Sequence, residues 1–305
     1  MGGYWKSSLL ALSLVLAIVA DGAGTGFGRV RKDARWIGEN PEPSFNPAQA
    51  GLLGLREKAE PKLPKNTVRF RRAFELPAGK IVSAEAKACG LGFYELWANG
   101  RQVDPSRLLA PGWSRPEHRI LYDRYDLTDS LRAGETNVVG FWVSPGYSDD
   151  FMHWGWRWLR PKRVWMTLDV RYADGTMRRV VTDGSWQWTD RTPIDEVSIY
   201  HGESFDATRE DPFWSCAQGS TAPWRAVREI TDEKQYVLEE NVGPAIRPYD
   251  PRPPAKTTHL GGDRWLLDFG VNRAGIVEMS LDLPRGHVVE LRHAEEVAAD
   301  GRSLD

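Results

Sequence analysis

Between residues 164 and 181 the chain alternates. Val164, Met166, Leu168, Val170 and Tyr172 interleave with Trp165, Thr167, Asp169 and Arg171, and the Asp174-Gly175 pair leads into a return segment at 177–181. A period of two places the apolar set on one side of a strand, so this stretch predicts a hairpin with one buried face. A second hairpin is predicted at Asn99-Gly100, between segments 94–98 and 101–103, because both residues tolerate the left-handed backbone that a tight turn demands. Further strands are expected at 69–76, 81–88, 119–126 and 137–143, with turns at 77–79 and 133–134, and the RWIG run at 35–38 reads as one short strand. No long amphipathic helix competes. Many short strands with regular turns imply an antiparallel β-sandwich of jelly-roll-like type.

The Pro- and Gly-rich stretch 241–262 interrupts this pattern and reads as a linker. Beyond it, strands are expected at 265–269, 276–283 and 288–293. Three strands are too few to close a sandwich, so the second β domain is expected to be partial and easily cleaved from the first. The resulting organisation is a leader over 1–22, an arm over 23–67, a sandwich over 68–240, a linker over 241–262 and the partial domain over 263–305.

Composition narrows the function classes. The chain has 305 residues and a net charge of −2, so it carries no basic footprint for nucleic acid. Residues 9–20 form an apolar or small run behind a single Lys, too short to span a bilayer and of the size of a secretory signal. Export to the periplasm or outside the cell is expected, with no membrane contact beyond that segment. Cys89 and Cys216 either pair or remain two buried thiols, since nothing in the sequence fixes their distance.

Fourteen Trp residues are numerous for this length. Trp joins a large apolar face to a single donor, which suits both a sandwich core and stacking on sugar rings, and most are assigned to structure. The run His153-Trp154-Gly155-Trp156-Arg157-Trp158 sets aromatic faces beside donors, either as core or as a carbohydrate surface. Asp149 and Asp150 on the preceding loop either stay solvated or bind sugar hydroxyls or a calcium ion. The candidate carbohydrate-binding set is Asn99, Asp104, Trp113, Tyr147, Asp149, Asp150, Trp154 and Trp156. No resident cofactor is called for, calcium being the one ion the loop could take. Phosphate-loop, nucleophile-elbow and His-Glu-x-x-His patterns are absent.

Segments 92–100 (GFYELWANG), 109–113 (LAPGW), 172–176 (YADGT), 182–186 (TDGSW), 199–206 (IYHGESFD) and 291–295 (LRHAE), in that order, resemble the bacterial α-L-rhamnosidases. The resemblance runs from about Trp36 to the last residue. It implies an N-terminal sandwich and the start of a concanavalin-like β domain, which in that family precede a catalytic α/α toroid. The family carries its two catalytic carboxylates in the toroid, and no position of this chain matches them. Glu295 and Glu296 are sequence neighbours that a strand would point to opposite faces, so neither is assigned to catalysis. Where family members carry a Gly-Trp-Tyr segment, this chain reads SPGYSDDFMHWGWRWLRPKR over 144–163. The expected role is recognition and scaffolding for an inverting rhamnosidase acting on rhamnose-containing glycans. A stand-alone lectin-like module is the alternative.

Overall fold

The computed structural model describes residues 33–41, 65–112, 114, 116, 118–146, 161–199, 202–231, 237–302 and 304. Two sheets face each other. One runs in the order β14 (Arg228–Ile230), β1 (Trp36–Gly38), β8 (Arg163–Tyr172), β3 (Ile81–Leu91), β6 (Ile120–Asp126) and β15 (Leu238–Glu240), with β9 (Met177–Val181) also paired to β8. The other runs β13 (Arg225–Ala226), β10 (Gln187–Thr189), β2 (Val68–Glu75), β7 (Thr136–Val143), β4 (Tyr94–Ala98) and β5 (Arg101–Gln102). Neighbours are antiparallel except β15, which lies parallel to β6. β11 (Ile194–Ser198) and β12 (Gly202–Phe205) pair with each other as a separate two-stranded ribbon.

Alternation decides which side chains fill the space between the sheets. β3 contributes the small Ala84, Ala86 and Ala88, and β8 contributes Val164, Met166, Leu168 and Val170, all buried. The facing sheet offers larger groups: Phe70, Tyr94, Leu96, Phe141, Trp186 and Trp188. Phe141 sits 5.6 Å from Tyr94 and 5.9 Å from Trp186, centroid to centroid, in tilted packing. Small residues on one sheet thus leave room for rings from the other, which is how a sandwich reaches interior packing density. Gly90 serves the same end, since a Cβ there would lie 2.8 Å from the Tyr94 ring.

The Asn99-Gly100 turn forms as expected, with φ of 47° and 83°, and Gly175 takes φ 84° in the β8–β9 hairpin. Other expectations need correction. The segments 276–283 and 288–293 form no strands, and their apolar residues, such as Ile276 and Val288, are exposed. Period-2 apolar sequence makes a strand only where a partner edge is available to satisfy its backbone, and no strand lies beside these segments among the described residues. Within 256–302 regular structure is confined to the hairpin of β16 (Lys256–Gly261) and β17 (Arg264–Asp268), so the first of these strands begins inside the stretch read as linker. Cys89 and Cys216 are both free. Cys89 lies buried with Tyr122 and Trp165 on the outer side of one sheet, while Cys216 abuts Gly100 at the far sheet, so the whole core separates them.

Phe141→Ala is expected to lower unfolding free energy by about 3–5 kcal/mol, since it empties the centre of the aromatic row. Urea denaturation checks this value.

Candidate carbohydrate-recognition site

Three connections meet at one end of the sandwich. Tyr94 at the start of β4 donates its backbone N–H to the Ala110 carbonyl at 2.8 Å, and Ser144 just past β7 donates to the Phe93 carbonyl at 2.8 Å. Gly92 and Gly146 allow this approach, because a Cβ on either would strike the other's strand, and both hold positive φ. The connections that carry Trp113 and the 147–158 run therefore depart from the same end. Trp113, Tyr147, Asp149, Asp150, Trp154 and Trp156 themselves lie outside the described residues.

Beneath this end sits a buried carboxylate. Asp123 occupies an inward position of β6, on the side of Tyr125 and Leu127, and is 2% exposed. A charge there is tolerable only if its oxygens are satisfied. Oδ1 accepts from Arg107 Nη1 at 2.8 Å and from Asn241 Nδ2 at 2.9 Å, and Oδ2 lies 2.9 Å from the Tyr94 hydroxyl. That hydroxyl accepts in turn from the Tyr125 hydroxyl at 3.2 Å. Burial, with Asp123 nearby, pushes both phenols well above the usual tyrosine range, so they act as neutral donors. The Arg107 guanidinium also rests 4.9 Å from the Tyr125 ring centroid.

Asp104 extends this network outward. It receives both Arg247 Nη1 and Nη2, at 2.9 and 2.8 Å, together with Arg107 Nε at 3.3 Å and the Ser106 hydroxyl at 2.8 Å. The bonds from Arg247 lead in lowering its pKa to about 2. Its oxygens are thus engaged within the fold, at the Tyr94 end of the sandwich. Asn99 stands at the other end of β4. Its Nδ2 donates to the Ser130 carbonyl and to Asn137 Oδ1, both at 2.8 Å, and its Oδ1 accepts from the Val138 N–H at 2.8 Å, which leaves the side chain bound to the turn and to β7. The groove beside it, lined by Arg132, Glu135, Thr136, Cys216, Ala217 and Gln218, offers an ion pair and no ring on which a sugar could stack.

Arg107, Asp123, Asn241 and Arg247 escaped the sequence reading. Asp123 had a signal, an acidic residue at an inward position of an alternating strand. Asn241 and Arg247 had none, because they reach the site from more than a hundred residues away.

The outer side of the sheet containing β2, β4 and β7 carries a second cluster. Arg69, fully buried, lies 4.1 Å from the Trp142 centroid and 5.0 Å from that of Trp214, and its Nη2 donates to Glu210 at 3.0 Å. Trp214 enters the hollow above Gly140, where a Cβ would lie 2.6 Å from its ring. Burial raises the Glu95 carboxyl and lowers the Arg69 guanidinium from their ordinary values. The segment bearing Trp214 is thereby a strap across that sheet, and its rings are spent on packing. Among the described residues no group of three His, Cys, Asp or Glu side chains could hold a metal ion.

Two outcomes are expected. Asn99→Ala loses three hydrogen bonds at a positive φ and should cost about 1–3 kcal/mol of stability, measured by thermal denaturation. Asp104, whose pKa is depressed in the fold, adds stability fully present above its unfolded value of about 3.9 and lost as pH falls through about 2. The stability gap between the parent and Asp104→Asn should therefore be constant above about pH 5 and shrink between about pH 4 and 2.

Comparison with known proteins gives the lineage. The family model described as "Alpha-L-rhamnosidase N-terminal domain" matches residues 79–249, and that of the "Bacterial alpha-L-rhamnosidase concanavalin-like domain" matches 258–304. An α-L-rhamnosidase of Streptomyces avermitilis is 32% identical over 235 residues, which are 76% of this chain and 22% of that protein. One from Alteromonas sp. is 28% identical over 86% of this chain and 27% of its own length. The chain spans about a quarter of the relatives it matches. Among solved structures, the Streptomyces avermitilis α-L-rhamnosidase complexed with L-rhamnose aligns with a TM-score of 0.61 at 29% identity, covering 68% of this chain and 20% of that one. The Aspergillus terreus enzyme aligns with a TM-score of 0.65 at 26% identity, covering 79% and 26%. The N-terminal-domain match alone takes in more than half of the 305 residues, and the chain belongs to the bacterial α-L-rhamnosidase family through its N-terminal β-sandwich domain.

Proposed function

We propose that this chain is the non-catalytic, N-terminal recognition and scaffold part of an exported α-L-rhamnosidase, and that it holds rhamnose-containing glycans for hydrolysis of terminal α-L-rhamnosides by the whole enzyme. The observation that carries this reading is the match of residues 79–249 to the N-terminal domain of that family, in a chain that spans only about a quarter of its relatives. The rhamnose complex of a 29% identical relative supports the choice of sugar. Export rests on the apolar run at 9–20.

Glycoside hydrolysis needs two carboxyl groups roughly 5–10 Å apart across the scissile bond, one of them held protonated in a dry setting. Glu295 and Glu296 are adjacent and exposed, and Glu295 accepts from Asn272 Nδ2 at 3.2 Å. Binding asks for less: one aromatic face and two or three polar groups suffice for a single ring. Tyr147, Asp149, Asp150, Trp154 and Trp156, with Trp113, supply those chemistries on connections leaving one end of the sandwich. The two aspartates supply the carboxylate oxygens that a calcium ion would take as ligands.

The purified protein is expected to leave a chromogenic α-L-rhamnoside unhydrolysed. Turnover that disappears in Glu295→Gln or Glu296→Gln would contradict the non-catalytic role. Calorimetric titration with L-rhamnose, with and without calcium, is expected to detect binding at millimolar sugar. Trp154→Ala or Trp156→Ala should weaken it about tenfold or more, whereas Asn99→Ala should leave affinity unchanged in the folded protein. Absence of heat at millimolar sugar would overturn the recognition role.

A further inference from the structure

The segment that leaves the sandwich is tied down along its length. β15 lies parallel to β6, Ile120 donates to the Val237 carbonyl and Asn241 donates to the Tyr122 carbonyl, each at 2.8 Å. Asn241 then plants its amide on buried Asp123, and Leu108 donates its N–H to the Ile246 carbonyl at 2.9 Å. Arg247 ends this docked stretch with its two-pronged grip on Asp104, reinforced by a bond to the Ser106 hydroxyl.

The path from Arg247 to β16 is short and stiff. Pro248, Pro251, Pro253 and Pro254 fix their own φ and restrict the residue before each, and Asp250, which precedes Pro251, holds φ 55°, so few torsions are left to vary. Asp250, three residues beyond Arg247, receives Arg252 at 2.8 Å and Arg273 at 3.2 Å. Arg273 belongs to the portion that matches the concanavalin-like domain. Two ion pairs of opposite sense therefore grip the two sides of one proline-rich piece: Arg247 holds it to the sandwich and Asp250 holds it to the following portion.

We propose that residues 237–256 act as a strut rather than a tether, and that the Asp104–Arg247 clasp, with Asp250–Arg273 beyond it, sets the orientation of the β16–β17 portion relative to the sandwich. Exposed ion pairs are individually weak, but a two-pronged guanidinium–carboxylate contact adds directional constraint. Here it closes a path whose other torsions the prolines already limit. Asp104 and Arg247 are positioning residues under this proposal, and it does not depend on sugar binding by the sandwich.

The test uses the full chain with Cys216→Ser and spin labels introduced at Arg178 and Arg264, exposed positions on either side of the strut. Pulsed electron–electron distance measurement should give one narrow distribution. Asp104→Asn and Arg247→Ala should each widen it at least about twofold, and the double variant should be no wider than either single one. Hydrogen exchange supplies an independent reading. The Leu108 amide should exchange about three- to tenfold faster in either variant, while β3 and β8 amides keep their rates. A broad distribution in the parent, or a width and a Leu108 exchange rate unchanged by both substitutions, would overturn the proposal.

Discussion

A carboxylate buried at the end of the sandwich is the constraint on which this structure turns. Asp123 stands where alternation would ask for an apolar side chain, so its charge must be met by donors from elsewhere in the chain. Tyr94 supplies one from the start of β4, Arg107 another from the loop after β5, and Asn241 the third from the segment after β15. Each donor is a tie between segments distant in sequence. Removing a partner would leave a buried charge uncompensated, a loss of about 3–5 kcal/mol and of the same order as emptying the aromatic core. The cluster thereby holds the two sheets, the loop beside Ala110 and the exit segment in a single register. The connections that bear the candidate sugar-facing residues spring from the ground it stabilises.

The opposite balance holds on the outer side of the second sheet. There Arg69 is buried between two indole rings, and Glu210, on the strap that covers it, meets part of its charge. Arg71 repeats the arrangement, lying 4.0 Å from the Trp224 centroid and donating to the Trp214 carbonyl at 3.0 Å. Among the described residues, Trp142, Trp214 and Trp224 thus serve to cover a charged sheet face. Cation–π contacts let arginine stems and indoles share one dry layer. An aromatic-rich composition by itself does not distinguish such a layer from a sugar platform.

Most of the sandwich was legible in the sequence because its signals are local. The alternation over 164–172, the Asn99-Gly100 and Asp174-Gly175 turns, and the strands at β2, β4, β6 and β7 come from period and turn chemistry within ten residues. The short strands β10 and β13 to β15 were not legible, since two or three residues carry too little periodicity and are fixed by pairing with distant edges, and the local β11–β12 ribbon has too few residues to show a period. The over-reading of 276–283 and 288–293 has the same cause in reverse: strand-like sequence without a partner edge does not make a strand. At the candidate site, Asn99 and Asp104 drew notice for their position near a hairpin, yet their polar atoms are engaged by Ser130, Val138, Arg107 and Arg247. Sequence shows which residues could bind; it does not show which are already committed.

Under the proposed function, recognition belongs to the sandwich end built over Asp123. It is tested most directly by titrating isotopically labelled protein with L-rhamnose and following backbone amide resonances. Saturable shifts are expected to cluster at Phe93, Tyr94, Ala110, Gly112, Ser144 and Gly146, with Asn99, Ser130 and Asn137 unmoved. Shifts centred on the Asn99 turn or on the Trp214 strap, with the Tyr94 end silent, would contradict it.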